Sequence, residues 1–469
     1  MRREWKTAAL ALLLAAALLT GCGRQTAAPA SVPEPTAAPT AEPAPPPTPE
    51  PTPPPTPEPT PEPTATPVPT AVPVTEPVRE ASRMAGDDAN PWLLPGENER
   101  EMRVRWTGQY TRESVYVWYA PDDGSGALGP DAVRVEADRA GASPEIDPDR
   151  PCFYDALLTV EPGERYLYGI AEGEREPAVL YPFRAPGSDG AFSAVFVSDS
   201  HLVNDSHGAL LEDVLEKALE LKLSEGGALD GIFHQGDVVD HPHYTLGLLT
   251  NNVPLLHSIP STVTVGNHDF DAAIRNYFPQ PHIDRTTGDY WFLRGGVLFV
   301  GVNVRCYDHD KQMGYLRTVQ EQAGEHEWTV LLIHYSMRSN GHHGIDQPVY
   351  NFRLWLEPLL EELDVDLAIS GHDHEYDRTA LMEGDASVEG SAGTVVTKAP
   401  GQTLFVGCPS ATAIKVYSNN IDVDFAMTAE GIEHDRGFIL LDATPEELRI
   451  RAVNADTGEI VDDFVLRHE

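Results

Sequence analysis

Five apolar runs from residue 194 onward each stop at residue types that bind metal ions or move protons. "AVFVS" leads into Asp199 and His201, and "GIFHQ" into Gly236 and Asp237. "TVTV" precedes Gly266, Asn267, His268 and Asp269, "TVLLI" precedes His334, and "LAIS" precedes Gly371, His372, Asp373 and His374. Short apolar runs bounded by glycine fit buried strands. Between them "SHGALLEDVLEKALELK" carries Leu210, Leu211, Val214, Leu215, Ala218 and Leu221 at helical spacing, with Ser206 placed to cap. Strands alternating with helices predict an α/β layered domain, in which chemistry collects where strand C-termini open into loops. Further helix is expected over Tyr244 to His257 and near Trp355, a hairpin over "YWFLRGGVLFVGVNV", and closing strands in the tail.

Asp199, His201, Asp237, Asn267, His334, His372 and His374 are more ligands than one ion needs. Mixed imidazole and carboxylate ligation suits zinc, iron or manganese. Two ions roughly 3.5 to 4 Å apart, bridged by one carboxylate, are the economical account. Any one motif alone is weak, since a lone histidine at a strand end is usually a satisfied polar residue. The ordered set carries the argument.

That set, Asp-x-His, Gly-Asp-x-x-Asp, Gly-Asn-His-Asp, a strand-borne His and Gly-His-x-His, resembles the calcineurin-like metallophosphoesterase superfamily over residues 191 to about 437. The resemblance implies a four-layer α/β/β/α sandwich. It implies that Asp199, His201, Asp237 and His374 hold one metal and that Asp237, Asn267, His334 and His372 hold the other. His268 would protonate or stabilise the leaving group, with Asp269 orienting it. Such a centre would activate water for in-line attack on a phosphate ester.

Residues 79–188 read as short strands, "EMRVRWTG", "SVYVWYA", "FYDALLTV" and "RYLYGIA", between turn clusters. They predict a small antiparallel sandwich with Trp106, Tyr116 and Tyr166 in its core. "VRWTG", "LLTVEPGERYLYGI" and "YPFRAP" before the first metal motif look like the fibronectin-type domain of purple acid phosphatases. The expected architecture is thus a small all-β fibronectin-III/Ig-like domain ahead of the catalytic domain at 189–469. Two positions depart from the purple enzymes: Asp240 stands where they have a tyrosine on iron, and His201 where they lack a histidine. The implied enzyme is colourless.

The N-terminus gives an address. "MRREWKTAALALLLAAALLTGC" has basic residues, an apolar run and small residues, as a secretory signal does. Its end resembles the lipobox of bacterial lipoproteins, so residues 1–22 are expected to be a signal ending at an acylated Cys22, with the body outside the cytoplasm at a bacterial cell surface or in a periplasm. Residues 23–78, rich in Pro, Thr and Glu, predict a semi-rigid stalk. A net charge of -40 argues against nonspecific binding to nucleic acid. Of the remaining cysteines, Cys306 and Cys408 are the expected pair if any two join.

The expected function is therefore a lipid-tethered, two-metal phosphoric ester hydrolase. A phosphodiesterase acting on nucleotides or envelope polymers is the nearest alternative, and a surface-binding lipoprotein retaining the fold is the alternative of another class. Arg338, four residues beyond His334, is placed to meet a phosphate or to form a surface salt bridge. His234, His241, His243, His342 and His343 are expected as half-exposed loop histidines, with pocket lining as the alternative.

Overall fold

A computed structural model describes residues 89–108, 114–140, 152–187, 190–417 and 421–469. The signal, Cys22 and the proline-rich stretch lie outside the described residues. Among the described residues no helix is long and apolar enough to cross a membrane.

The first described region is built from two four-stranded antiparallel sheets. One runs Trp92–Pro95, Glu101–Gly108, Cys152–Thr159, Asp138–Ala140 and the other Val133–Glu136, Val115–Pro121, Arg165–Glu172, Tyr181–Arg184. Alternation explains the inward faces: Met102, Val104 and Trp106 are buried while Glu101, Arg103 and Thr107 stay half-exposed. Trp106 and Tyr166 are core as expected. Tyr116 is not; it is half-buried beneath the Arg134 guanidinium, 4.3 Å from its ring centroid.

This sandwich shares one apolar core with the layer that follows. Trp92 Nε1 donates to Tyr277 O (2.9 Å), Tyr168 OH to His257 O (2.8 Å) and Arg105 Nε to Asn276 O (2.8 Å). Buried polar groups thus find partners across the junction, as burial demands.

Two seven-stranded mixed sheets form the rest. The first has the order Ser261–Val263, Gly231–His234, Phe192–Val197, Gly437–Ala443, Leu448–Asn454, Ile460–His468, Val395–Lys398. The second has the order Tyr290–Arg294, Val297–Val302, Trp328–Ile333, Leu367–Ser370, Leu404–Gly407, Tyr376–Thr379, Met427–Gly431. Side chains sort by parity into three cores. Val195 and Val197 face Leu211, Val214 and Ala218 of the helix Asp205–Ser224. Ala194 and Phe196 face Phe292, Phe299 and Leu332 of the second sheet. Leu298, Val300 and Leu331 face Leu316, Val319, Phe352 and Leu356 of the helices His309–Ala323 and Gln347–Glu362. The layers are helix, sheet, sheet, helix, the expected α/β/β/α order. Parallel pairing within each sheet brings the ends of the motif-bearing strands to common edges, and a bridge between Ser198 and Ser410 joins the two sheets there.

Several local expectations change. The helix expected over Tyr244 to His257 is a short helix, Gly247–Asn252, and a 3-10 turn, Pro254–His257, separated where Pro254 has no N–H to continue the ladder. The helix Asp205–Ser224 is capped by Asn204, whose side chain accepts from His207 N, and not by Ser206, whose hydroxyl donates to Asn204 Oδ1 (2.6 Å). Cys306 and Cys408 do not pair: Cys408 is buried against Phe196 O between the sheets, whereas Cys306 is half-exposed on the loop after Val297–Val302.

Candidate metal centre

Five of the seven candidate ligands adopt the left-handed backbone that L-residues avoid: Asp199 (φ 51°), His201 (42°), Asp237 (53°), His372 (75°) and His374 (66°). Each such residue costs on the order of 1–3 kcal/mol and persists where the surroundings over-determine it. Here they do. Asp199 N donates to Gly236 O (3.1 Å), His201 N to Asp237 O (3.0 Å) and His372 N to Asp199 Oδ2 (2.9 Å). Two glycines make room. A Cβ on Gly266 would lie 2.2 Å from Asp237 N and Oδ1, and one on Gly371 would lie 1.9 Å from Ser198 Oγ. The glycines of Gly-Asn-His-Asp and Gly-His-x-His are there because the neighbouring strand-end loop passes too close for any side chain.

The ligand atoms converge in two groups, linked by a third made of His201, Asp237 and His268. Asp199, His201 and His374 form one; Asp237, His334 and His372 form the other, each within 4.8 Å. His374 Nε2 is 3.3 Å from Asp199 Oδ1 and 3.2 Å from His201 Nε2. His334 Nε2 is 3.4 Å from Asp237 Oδ2 and 3.1 Å from Asn267 Oδ1. Asp237 Oδ2 is also 3.8 Å from His201 Nε2, so this one carboxylate faces both groups.

The donor set fits divalent cations. His334 Nδ1 meets Gln235 O and His374 Nδ1 meets Lys415 O, both at 2.8 Å. A carbonyl can only accept, so Nδ1 carries the proton and the Nε2 lone pair turns inward, as in metal-ligating histidines. Asp199 Oδ1 is buried with no hydrogen-bond donor. Such an atom is costly to bury unless a cation completes it.

Electrostatics agree. Burial opposes a charge on His334, but Asp237 and Asp199 pull its pKa up to about 9. Burial likewise opposes ionisation of Asp199, yet His374, His334 and His201 hold it well below the carboxylate range. Burial drives His201 down to about 3.

His268 lies beside Asp237 at the more open side. Its backbone N donates to Asp237 Oδ1 (2.8 Å), its Nδ1 meets Asp240 O (2.5 Å), and its Nε2 is 3.9 Å from Asp237 Oδ2. The expectation that Asp269 orients this imidazole is corrected. The Asp269 carboxylate is fully buried and accepts from Asp237 N (2.9 Å), Val238 N (3.1 Å) and Gly266 N (2.9 Å), which fixes the Asp237 backbone instead. Burial and then Asp237 raise its pKa to about 7. Asp240 supplies its carbonyl to His268, while its carboxylate pairs with Lys415 and sits 3.4 Å from His201 Nδ1.

Arg338 takes the salt-bridge alternative, but buried and not at the surface: its side chain is forked onto Glu357 (2.6 and 2.7 Å) and bonded to Asp385 (2.7 Å). His234 is buried against Ser200 Oγ (2.7 Å), not half-exposed; His241, His243 and His342 are exposed. His343 is half-exposed and lies closer to the centre than its sequence position suggests. Its Nδ1 is 2.8 Å from Asp346 Oδ2 and its ring centroid 4.6 Å from that of His372. The signal for it was His-x-x-Asp just before a proline-initiated helix. Tyr417, whose ring lies 4.6 Å from that of His374, had no local signal.

Residues 192–376 match the family model for calcineurin-like phosphoesterases. Among solved structures, a purple acid phosphatase from yellow lupin (Lupinus luteus) seeds superposes with a TM-score of 0.66 at 18% identity, covering 81% of this chain and 74% of that one. That share exceeds what residues 190–469 make up, so the likeness in fold extends into the sandwich. GAP50, the anchor in the inner membrane complex of Plasmodium, is 14% identical, covers 60% of this chain and 89% of its own, and has a TM-score of 0.43, too low to carry an argument. No curated protein matches the chain in sequence. The arrangement of carboxylates and imidazoles agrees with both comparisons: residues 192–376 match calcineurin-like phosphoesterases, and the fold of the chain is similar to that of a purple acid phosphatase.

Proposed function

We propose that the chain is a two-metal phosphoesterase working outside the cytoplasm. The observation that carries this reading is Asp237 Oδ2, which faces His201 of one ligand group at 3.8 Å and His334 of the other at 3.4 Å. Asp199, His201 and His374 would hold one ion, Asn267, His334 and His372 the second, with Asp237 shared. When bound, a pair of divalent cations lowers the pKa of water and clamps phosphoryl oxygens.

The protein's own groups do the rest. Asp269 locks the Asp237 backbone, and the carbonyls of Gln235 and Lys415 hold two imidazoles in the ligating tautomer. His268, fixed through Nδ1 by the Asp240 carbonyl, presents Nε2 beside the shared carboxylate; in its protonated form that Nε2–H is placed to donate to a departing alkoxide. The Asp240 carboxylate is engaged by Lys415, which supports a centre without a tyrosinate ligand and without its visible absorption. Location outside the cytoplasm rests on the N-terminal signal and Cys22.

The test is to strip the chain of metal, reload it separately with manganese, zinc and iron, and follow a chromogenic phosphomonoester and a phosphodiester. Metal-dependent turnover that His268→Ala removes is the expected result, and the preferred ester separates monoesterase from diesterase. Two bound ions with no turnover of either ester would sink the reading.

A further inference from the structure

Arg305 is exposed, yet the loop that carries it is fixed by a buried polar network. Asn303, buried directly after Val297–Val302, accepts from Arg305 N through Oδ1 (2.9 Å). Its Nδ2 donates to Thr287 O (2.7 Å) and Asp271 Oδ1 (3.1 Å). Asp289, fully buried, accepts from Asn303 N and from Gln312 Nε2, both at 2.8 Å. A satisfied buried network rigidifies the backbone it holds. Here that backbone sends the Arg305 guanidinium over a metal-ligand loop: Nη1 donates to Asn267 O (3.2 Å), and Asn267 Oδ1 is itself 3.1 Å from His334 Nε2.

Asp and Glu outnumber Lys and Arg 73 to 33, but among the described residues no carboxylate forms an ion pair with Arg305. Those on the same loops are engaged elsewhere: Asp271 pairs with Arg275, and Asp308 with Lys311 (2.6 Å). Tyr335 ties this guanidinium to the centre from another strand end. Its ring lies 4.8 Å from that of His372 and 5.9 Å from that of His334. Burial and then Asp237 push the pKa of its hydroxyl up to about 12 against the pull of Arg305, so the shared carboxylate and the guanidinium both lie within electrostatic reach of one atom.

Oxygen counting says what such a group is for. A phosphate monoester has three terminal oxygens and is a dianion; a diester has two and is a monoanion. A pair of cations clamps two terminal oxygens. A monoester then keeps a third, charged oxygen, and a guanidinium is well matched to it. A diester offers an ester oxygen there instead, a weak acceptor that also carries a substituent. We infer that Arg305 makes the centre select phosphate monoesters, its guanidinium donating to the terminal oxygen that the two cations leave free. This rests on the phosphoesterase reading and names its substrate class.

The test titrates the full metal-loaded chain calorimetrically with phenylphosphonate and with methyl(phenyl)phosphinate, at a pH where the first is a dianion. The two differ by one terminal oxygen and neither has an ester bond to break, so recognition is read apart from turnover. The native chain should bind the phosphonate more tightly. Arg305→Met should weaken the phosphonate about 10–100-fold and the phosphinate, which feels only a screened charge, by no more than about threefold. Arg305→Lys keeps the charge without the fork and should give an intermediate loss on the phosphonate alone. Unchanged phosphonate binding in both variants, equal losses for the two ligands in a variant of native metal content, or equal affinities in the native chain each overturn the inference. Turnover of phenyl phosphate and of methyl phenyl phosphate by the native chain is followed in parallel. With two ions bound, turnover of neither ester defeats the phosphoesterase reading, whereas preference for the diester defeats this inference alone.

Discussion

The strand Phe192–Val197 has a cluster of charged groups at each end, and the two are built on opposite principles. At its start, Asp442 accepts from Lys222 (2.6 Å), Ser193 Oγ (2.6 Å) and Arg451 (2.7 Å), and Arg451 also pairs with Glu225. At its end, Asp199 Oδ1 has no hydrogen-bond donor, and the Nε2 atoms of His201 and His374 face one another at 3.2 Å. The first cluster neutralises itself with side chains. The second gathers carboxylates and imidazoles of the kind that could hold a cation, and that difference separates a structural ion-pair network from a candidate site of chemistry more surely than burial or charge alone.

Breaking the open end should have the largest effect. Asp237→Asn is expected to lower kcat about a thousandfold or more, corresponding to the several kcal/mol of charge stabilisation a metal pair provides, and to reduce bound metal below two ions by elemental analysis. Retention of two ions with full activity would remove Asp237 from the shared position. Breaking the closed end should do the reverse. Lys222→Met leaves Asp442 short of a cation and should cost about 2–3 kcal/mol in urea unfolding, less than for a fully buried pair because Asp442 is partly solvated, with metal content unchanged. Loss of metal in that variant would mean the two ends are coupled.

Asp269→Asn sharpens the comparison from the second layer of contacts. An amide replaces one carboxylate oxygen that accepts backbone N–H groups, so Asp237 loses its fixed loop, and metal affinity should drop about 10–100-fold. An unchanged dissociation constant by competition with a chelator would make Asp269 merely structural.

The smallest effect concerns pH. In the folded chain Glu375, beside the centre, is raised to about 9 by burial and by Asp377, Asp373, Glu433 and Glu430, while Asp442 is lowered, its partners outweighing burial. A raised carboxylate holds a proton that the unfolded chain releases, so its stabilisation is present at low pH and lost as pH climbs toward 9; Asp442 contributes above the unfolded carboxylate range and loses its contribution on acidification. Glu375→Gln should therefore flatten the fall in Tm between neutral pH and about pH 9 without altering the acid limb. A Tm profile indistinguishable from the native one would show that Glu375 titrates normally.

Much of this was legible in the sequence because the ligand motifs are local: Asp199 with His201, Gly266 with Asn267 and His268, His372 with His374 each fall within one strand-end loop. Roles set by distant partners were not. Arg338 is spoken for by Glu357 and Asp385, far along the chain, and no spacing rule announces such a fork. Asp269 sits next to His268 in sequence, yet its carboxylate turns to the Asp237 loop. Asp240, by contrast, reaches His268 through its backbone, which side-chain identity cannot reveal. The helix His309–Ala323 has no clear apolar periodicity because few of its residues are apolar; Leu316, Val319 and the amide of Gln312 make its buried side.

The five ligands in left-handed backbone also bear on how such a chain changes over generations. Replacing any of them with glycine would relieve local strain, so drift away from a working centre runs downhill in folding energy. A lineage that kept only the scaffold for adhesion would shed these aspartates and histidines and become sturdier for it. A chain that carries all five together bears a folding cost that a site for metal-dependent chemistry would offset.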